Sequence, residues 1–207
     1  RFAETARRRD EPATVFIQPN MPLYREVSGR IMQIVQSYAD AFEEASIDEA
    51  YLDVSSSENF TAARSRVTRL KGEIRDREGL GCSVGIAPNK LIAKIASDRQ
   101  KPDGLTVIEP EQVADFLNPL PIRVIPGIGP KSEQLLHENH LRTIEDLRRV
   151  PESALVEWFG KWGERLFEKV RGGDDSEDRP PHYRPLVAGA RFVVRRRRRG
   201  REGCSPA

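Results

Sequence analysis

At 207 residues, with 32% charged and 38% hydrophobic side chains, the chain has the make-up of a soluble globular protein with one large domain or two small ones. No run of 18 apolar residues occurs, which argues against a membrane-spanning helix, and the charged start RFAETARRRDEP leads into no apolar core, so it does not read as a signal peptide. The formal net charge of +2 is unevenly spread: residues 191–207 hold seven Arg and one Glu, which leaves residues 1–190 at −4, so bulk charge carries no argument for nucleic acid.

Residues 1–13 are charged and without period. Met21 to Asp40 reads as a helix with Leu23, Val27, Ile31, Ile34, Val35 and Tyr38 on one apolar face, and Pro22 suits its first turn. EEASIDEAYLDVSS follows as short alternating segments. A second helix is expected over Thr61 to Glu78, with Ala62, Val67, Leu70 and Ile74 buried. Gly79 to Ile86 reads as a strand, and Asn89 as the cap of a helix NKLIAKIASDRQ stopped by Pro102. Asp103-Gly104 signals a turn before the strand LTVIE. From Glu109 onward short helices succeed one another, with Thr143 and Asp146 as a capping pair. Trp158, Phe159, Trp162 and Phe167 are expected to pack inward. Residues 173–207, DDSEDRPPHYRP and an arginine run included, read as linker and disordered tail. Cys82 and Cys204 offer neither metal-ligand spacing nor a disulfide framework, and a reducing cytoplasm is the expected setting.

Three segments carry chemistry. In ASIDEAYLDV, Asp48 and Glu49 converge only if they sit at the tip of a tight hairpin, since neighbours on a flat strand point to opposite faces. Adjacent carboxylates between apolar strands repel unless a cation lies against them, and Mg²⁺ prefers such hard oxygens. The dipeptide alone reads more readily as a solvated turn. In GCSVGIAPNKLIAKIASDRQKPDGLTVI, Lys90, Lys94 and Lys101 are three of only seven lysines. Leu91, Ile92 and Ile95 bury one side of that helix, so Lys94 need not face the way Lys90 does. Lys101 at the helix end suits the dipole there, or an anion. In IPGIGPK (125–131) the glycines permit tight turning and close backbone approach, and Pro130 opens a helix whose free amides suit a phosphate oxygen. An ordinary interhelical turn is the plainer reading of that string.

SIDEAYLDVS, the lysine segment and PGIG-x-K together resemble the palm hairpin, palm helix and helix-hairpin-helix thumb of the Y-family DNA polymerases of DinB type, over residues 14 to 172 and in the family's order. The resemblance implies an α+β chain: a partial polymerase palm of sheet and packed helices, then an all-α helix-hairpin-helix thumb. The expected boundaries are 1–19 (remnant of the fingers), 20–108 (palm), 109–172 (thumb) and 173–207 (tail). It implies Asp48 and Glu49 as catalytic Mg²⁺ ligands in a two-metal nucleotidyl transfer. Lys101, and less strongly Lys94, would bind the triphosphate, while Gly127, Ile128, Gly129 and Lys131 would grip DNA. Primer-template DNA and deoxynucleoside triphosphates are the implied partners, with a sliding clamp for the full-length protein and a monomer expected.

The family's first palm strand, with another metal-binding Asp, its fingers and its little finger find no match. The chain is therefore expected to be a fragment, incapable of synthesis alone and with an open palm edge. Three rivals remain. One is a catalytically incompetent DNA-binding fragment that uses only the helix-hairpin-helix, and one a repair scaffold binding through its Arg tail. The third is a cyclase-like palm, against which the thumb motif argues.

Overall fold

The computed structural model describes residues 18–173 throughout and the backbone of 187–193. Helix α1 (Met21–Ser37) opens on Asn20, whose side chain accepts from the Leu23 amide, with Pro22 in the first turn. It runs into the hairpin β1 (Ala41–Ser46) and β2 (Glu49–Asp53). Helix α2 (Phe60–Glu78) is capped by Asn59 and ends on Gly79 in the left-handed region. Then come β3 (Gly81–Ala87), α3 (Lys90–Arg99) and β4 (Leu105–Val107).

After β4 the described chain up to Gly173 is helical. A 3₁₀ turn (Pro110–Gln112) leads to α4 (Val113–Leu117), and another (Ile122–Val124) to α5 (Pro130–Glu138). The series closes with α6 (Ile144–Arg148), α7 (Glu152–Phe159) and α8 (Lys161–Val170). Thr143 and Asp146 form the expected reciprocal capping box at α6.

The sheet has five strands in the order β1-β2-β5-β3-β4. Strand β5 (Val187–Val193) lies in its middle, antiparallel to both β2 and β3. This corrects the expectation of disorder throughout 173–207: VAGARFV is a short apolar run masked in composition by its Pro- and Arg-rich flanks. It also fills the seam where an open edge was expected. The remainder of the tail, Cys204 and the arginine run included, and the residues up to 17 lie outside the described residues.

Period-two alternation sorts the sheet's faces. Ala50 and Leu52 of β2, with Cys82, Val84 and Ile86 of β3, turn to one face and form a core with Ile31, Ile34 and Val35 of α1 and Val67, Leu70 and Ile74 of α2. Leu23 stays 46% exposed, because the first turn of α1 lies off this core. Ala63, not Ala62, is the buried alanine of α2. Burial drives the Cys82 thiol up to about 11, consistent with an inert core cysteine.

The other face carries α3. Its Leu91, Ile92 and Ile95 join a second core with Leu117, Ile122, Ile125, Leu136, Leu147, Leu155 and Leu166 of the helical half. Trp158, Phe159, Trp162 and Phe167 pack against that core as expected. One helix thus belongs to both halves. No described helix is long and apolar enough to cross a membrane.

Candidate nucleotide and DNA site

The acidic pair sits at the β1–β2 turn. Ser46 faces Glu49 in the register, and Ile47-Asp48 forms the tip. The register slips between Glu44 and Ser46, which tightens the twist at that end. Two contacts fasten the tip. The Ser28 hydroxyl of α1 donates to the Ile47 carbonyl at 2.6 Å, and Ser46 Oγ donates to Asp48 Oδ1 at 2.8 Å. Ser28 carried no sequence signal: a serine on a helix face shows its partner only after folding. Because Ala50 and Leu52 go to the α1/α2 core, Glu49 and Tyr51 turn toward α3.

α3 starts at Asn89, whose side chain caps the Ile92 amide at 3.0 Å and donates to the Gly172 carbonyl at 2.7 Å. Lys94 Nζ lies 2.6 Å from Glu49 Oε2. Lys90 Nζ lies 2.6 Å from Glu43 Oε2 and 5.7 Å from the centroid of the Tyr51 ring. Both lysines therefore address the hairpin, which corrects the expectation that they could diverge; residues four apart return to one side of a helix. Lys101 lies just past α3 and pairs with Asp98, one turn back.

The turn after Lys101 is anchored from α2. Lys71, only 9% exposed, donates to Asp103 Oδ1 at 2.8 Å and to the carbonyls of Cys82, Asp103 and Gly104. Arg75 Nη2 meets Asp103 Oδ2 at 2.6 Å. Burial by itself would raise the Asp103 carboxyl. The hydrogen bond from Lys71 and the charges of Lys71 and Arg75 outweigh it and hold the carboxyl below the usual carboxylate range. Sequence reasoning missed this clip, although a signal was there: Val67, Leu70, Lys71 and Ile74 fall on one helical face, and a lysine on a buried face needs partners.

In the helical half, Ile125–Gly129 turns into α5. Gly127 has φ 105°, and a Cβ there would sit 2.9 Å from Trp162 Cζ2. Gly129 differs from expectation. Its φ is −87°, and a Cβ would meet nothing within 4 Å, so the fold itself does not require glycine there. Ile128 is 5% exposed, and its amide donates to the Ile125 carbonyl at 3.1 Å. Its side chain shapes the hairpin from inside, and its amide closes the turn. Lys131 is exposed in the first turn of α5, beside amides that a helix start leaves without intrahelical partners.

Known proteins share this sequence pattern and fold. Residues 3–98 match the model of the impB/mucB/samB family, and residues 123–174 match that of the DNA polymerase-iota thumb domain. A DNA polymerase IV of Methanoculleus marisnigri is 45% identical over 166 residues, covering 80% of this chain and 46% of that protein. A DNA polymerase IV of Nitrosopumilus maritimus is 46% identical over 164 residues, covering 78% and 45%. The crystal structure of DinB from Sulfolobus solfataricus superposes with a TM-score of 0.76 at 36% identity, covering 84% of this chain and 52% of that one. The chain belongs to the Y family of DNA polymerases. Its place is among the DinB-like members, as the names of these relatives record. It spans about half the length of the curated relatives it matches.

Proposed function

We propose that residues 20–108 are part of the palm, and residues 109–172 the thumb, of a lesion-bypass polymerase that extends a DNA primer by template-directed nucleotidyl transfer. The observation that carries this reading is the acidic turn, fastened at Ile47 and Asp48 and faced by a lysine of α3. A Dbh polymerase among the solved neighbours was determined as an insertion ternary complex, which supports primer-template DNA and a nucleotide as partners here. Cytoplasmic residence, and a sliding clamp as partner of the longer protein, belong to the same reading.

The donors suit a divalent cation. Asp48 and Glu49 present hard oxygens, and since no group of three or more metal-ligating side chains stands among the described residues, the remaining ligands would come from substrate and water. Asp48 and Glu49 would hold Mg²⁺, which when bound supplies charge neutralisation at the triphosphate and activation of the primer hydroxyl. The chain's own residues do the rest. Ser28 and Ser46 keep the turn from rearranging, Lys101 sets a positive charge against the triphosphate, and the clip on Asp103 holds the turn behind it. Gly127, Gly129 and Lys131 hold the duplex by its backbone, through amides and one charge, without reading bases.

Asp48→Ala and Glu49→Ala, built into the longer protein, test the assignment. Each should remove nucleotide incorporation while leaving DNA affinity nearly intact. Wild-type extension in both would sink it, and DNA binding with no Mg²⁺-dependent extension even in the unmutated protein would favour the rival in which only the helix-hairpin-helix works.

A further inference from the structure

Lys94 has a role that a nucleotide contact does not describe. Its ammonium lies 2.6 Å from Glu49 Oε2, at the carboxylate proposed to take a divalent ion. A metal bound to that oxygen would sit about 2.0–2.1 Å away and draw on the same lone pairs and the same charge. Ammonium and metal therefore compete for it.

We propose that Lys94 is a resident stand-in for the divalent cation: it neutralises Glu49 in the absence of metal, competes with a metal for that carboxylate, and so lowers the affinity of the acidic turn for metal. The inference rests on reading Asp48 and Glu49 as metal ligands.

Two features let Lys94 leave without disturbing the fold. The backbone of α3 is fixed independently, since Leu91, Ile92, Ala93, Ile95 and Ala96 are buried and Asn89 caps its start. One turn earlier, Lys90 holds Glu43, back along the hairpin from the turn, and keeps the helix tied to β1. The Lys94 side chain is 34% exposed, against 17% for Lys90, so it has solvent to swing into. Displaced by a metal, its ammonium is left beside the anion that arrives with that metal, a nucleotide triphosphate. The same lysine would then guard the empty site and hold the substrate in the filled one.

The test is Mn²⁺ binding to the whole chain without nucleotide, read from the electron paramagnetic resonance signal of free Mn²⁺. A partly exposed ion pair is worth little, so the expected gain is modest: about two- to fivefold tighter binding in Lys94→Met and in Lys94→Gln. Lys90→Met should bind as wild type does. Glu49→Gln should weaken binding and cancel the gain when combined with Lys94→Met. Equal or weaker Mn²⁺ affinity in both Lys94 variants, with unchanged circular dichroism and Glu49→Gln still weakening binding, overturns the stand-in role alone. Wild-type Mn²⁺ affinity in Glu49→Gln overturns the metal reading itself, and the stand-in role with it.

Discussion

Gly85 decides where the lysine helix lies. It sits in β3 on the face covered by α3, and a Cβ built on it falls 2.1 Å from the Ala93 carbonyl oxygen, 2.6 Å from the Ser97 amide nitrogen and 2.8 Å from the Ala96 Cβ. The first two obstacles are helix backbone and cannot rotate aside. Ordinary carbon–oxygen contact needs more than 3 Å, so α3 must retreat by about 1 Å in Gly85→Ala, and a gap of that size forfeits a quarter to a half of each dispersion contact it opens. Ile92, Ala93 and Ala96, all fully buried, would lose those contacts. Overpacking of this kind costs ~1–3 kcal/mol, more where backbone is the obstacle. We expect about 3 kcal/mol, or a fall of roughly 6–12 °C in Tm for a chain of this size. Urea and thermal denaturation followed by circular dichroism measure it. Gly72→Ala is the control: it lies inside α2, a Cβ there meets nothing within 4 Å, and helix propensity predicts a gain of up to ~1 kcal/mol. A loss below 1 kcal/mol in Gly85→Ala would refute the close helix–sheet contact and with it the placement of Lys94 over Glu49.

The thumb hairpin yields a paired prediction. Gly127→Ala should destabilise by about 2 kcal/mol, because φ 105° is strained for a side chain and Trp162 is in the way, whereas Gly129→Val, at the N-cap of α5 where a Cβ meets nothing, should cost about 1 kcal/mol. Gly129→Val should nevertheless weaken binding to unrelated duplexes by a similar factor; full affinity on all of them removes the hairpin as the grip. Lys101→Ala, in the longer protein, should raise KM for nucleotide or lower kcat with DNA affinity little changed, and a loss confined to DNA affinity assigns it to the duplex path. Asp103 gives a pH dependence: its carboxyl is held low in the fold, so its contribution is present above the ordinary carboxylate value near 3.9 and is lost as pH falls through the depressed one. Asp103→Asn should therefore flatten the stability profile below about pH 4; an unchanged profile in acid denaturation rules out the clip as its source.

Local chemistry made much of this fold legible. Asn89, Pro22 and the Thr143–Asp146 pair mark helix starts because caps act within three residues. The hairpin around Asp48-Glu49 was readable because two short alternating segments flank a polar dipeptide that suits a turn. What depends on distant partners was hidden. Ser28 shows nothing until Ile47 arrives beside it, and the Lys94–Glu49 and Lys90–Glu43 pairs need α3 laid across the sheet. Gly129 misled for another reason: motif resemblance says that glycine belongs there, but only coordinates separate a glycine the backbone needs from one that leaves room for a ligand. Strand β5 was missed because composition averages over a window, and seven residues between proline and arginine tracts disappear in it.

The same strand orders events in time. Ala87 of β3 pairs with Val187, one hundred positions later, and Glu49 of β2 pairs with Arg191. The middle of the sheet is thus made after both its neighbours and after the whole helical half. Translation at ~5–20 residues per second leaves β3 waiting about 5–20 s for it and β2 about 7–28 s. In that interval each exposes a row of backbone donors and acceptors, an invitation to chaperones and to other nascent chains. Helices α4 to α8, built from contacts close in sequence, can meanwhile settle, since local contacts form fastest. The half that would grip DNA is therefore the first to mature, and the sheet bearing the acidic turn closes last.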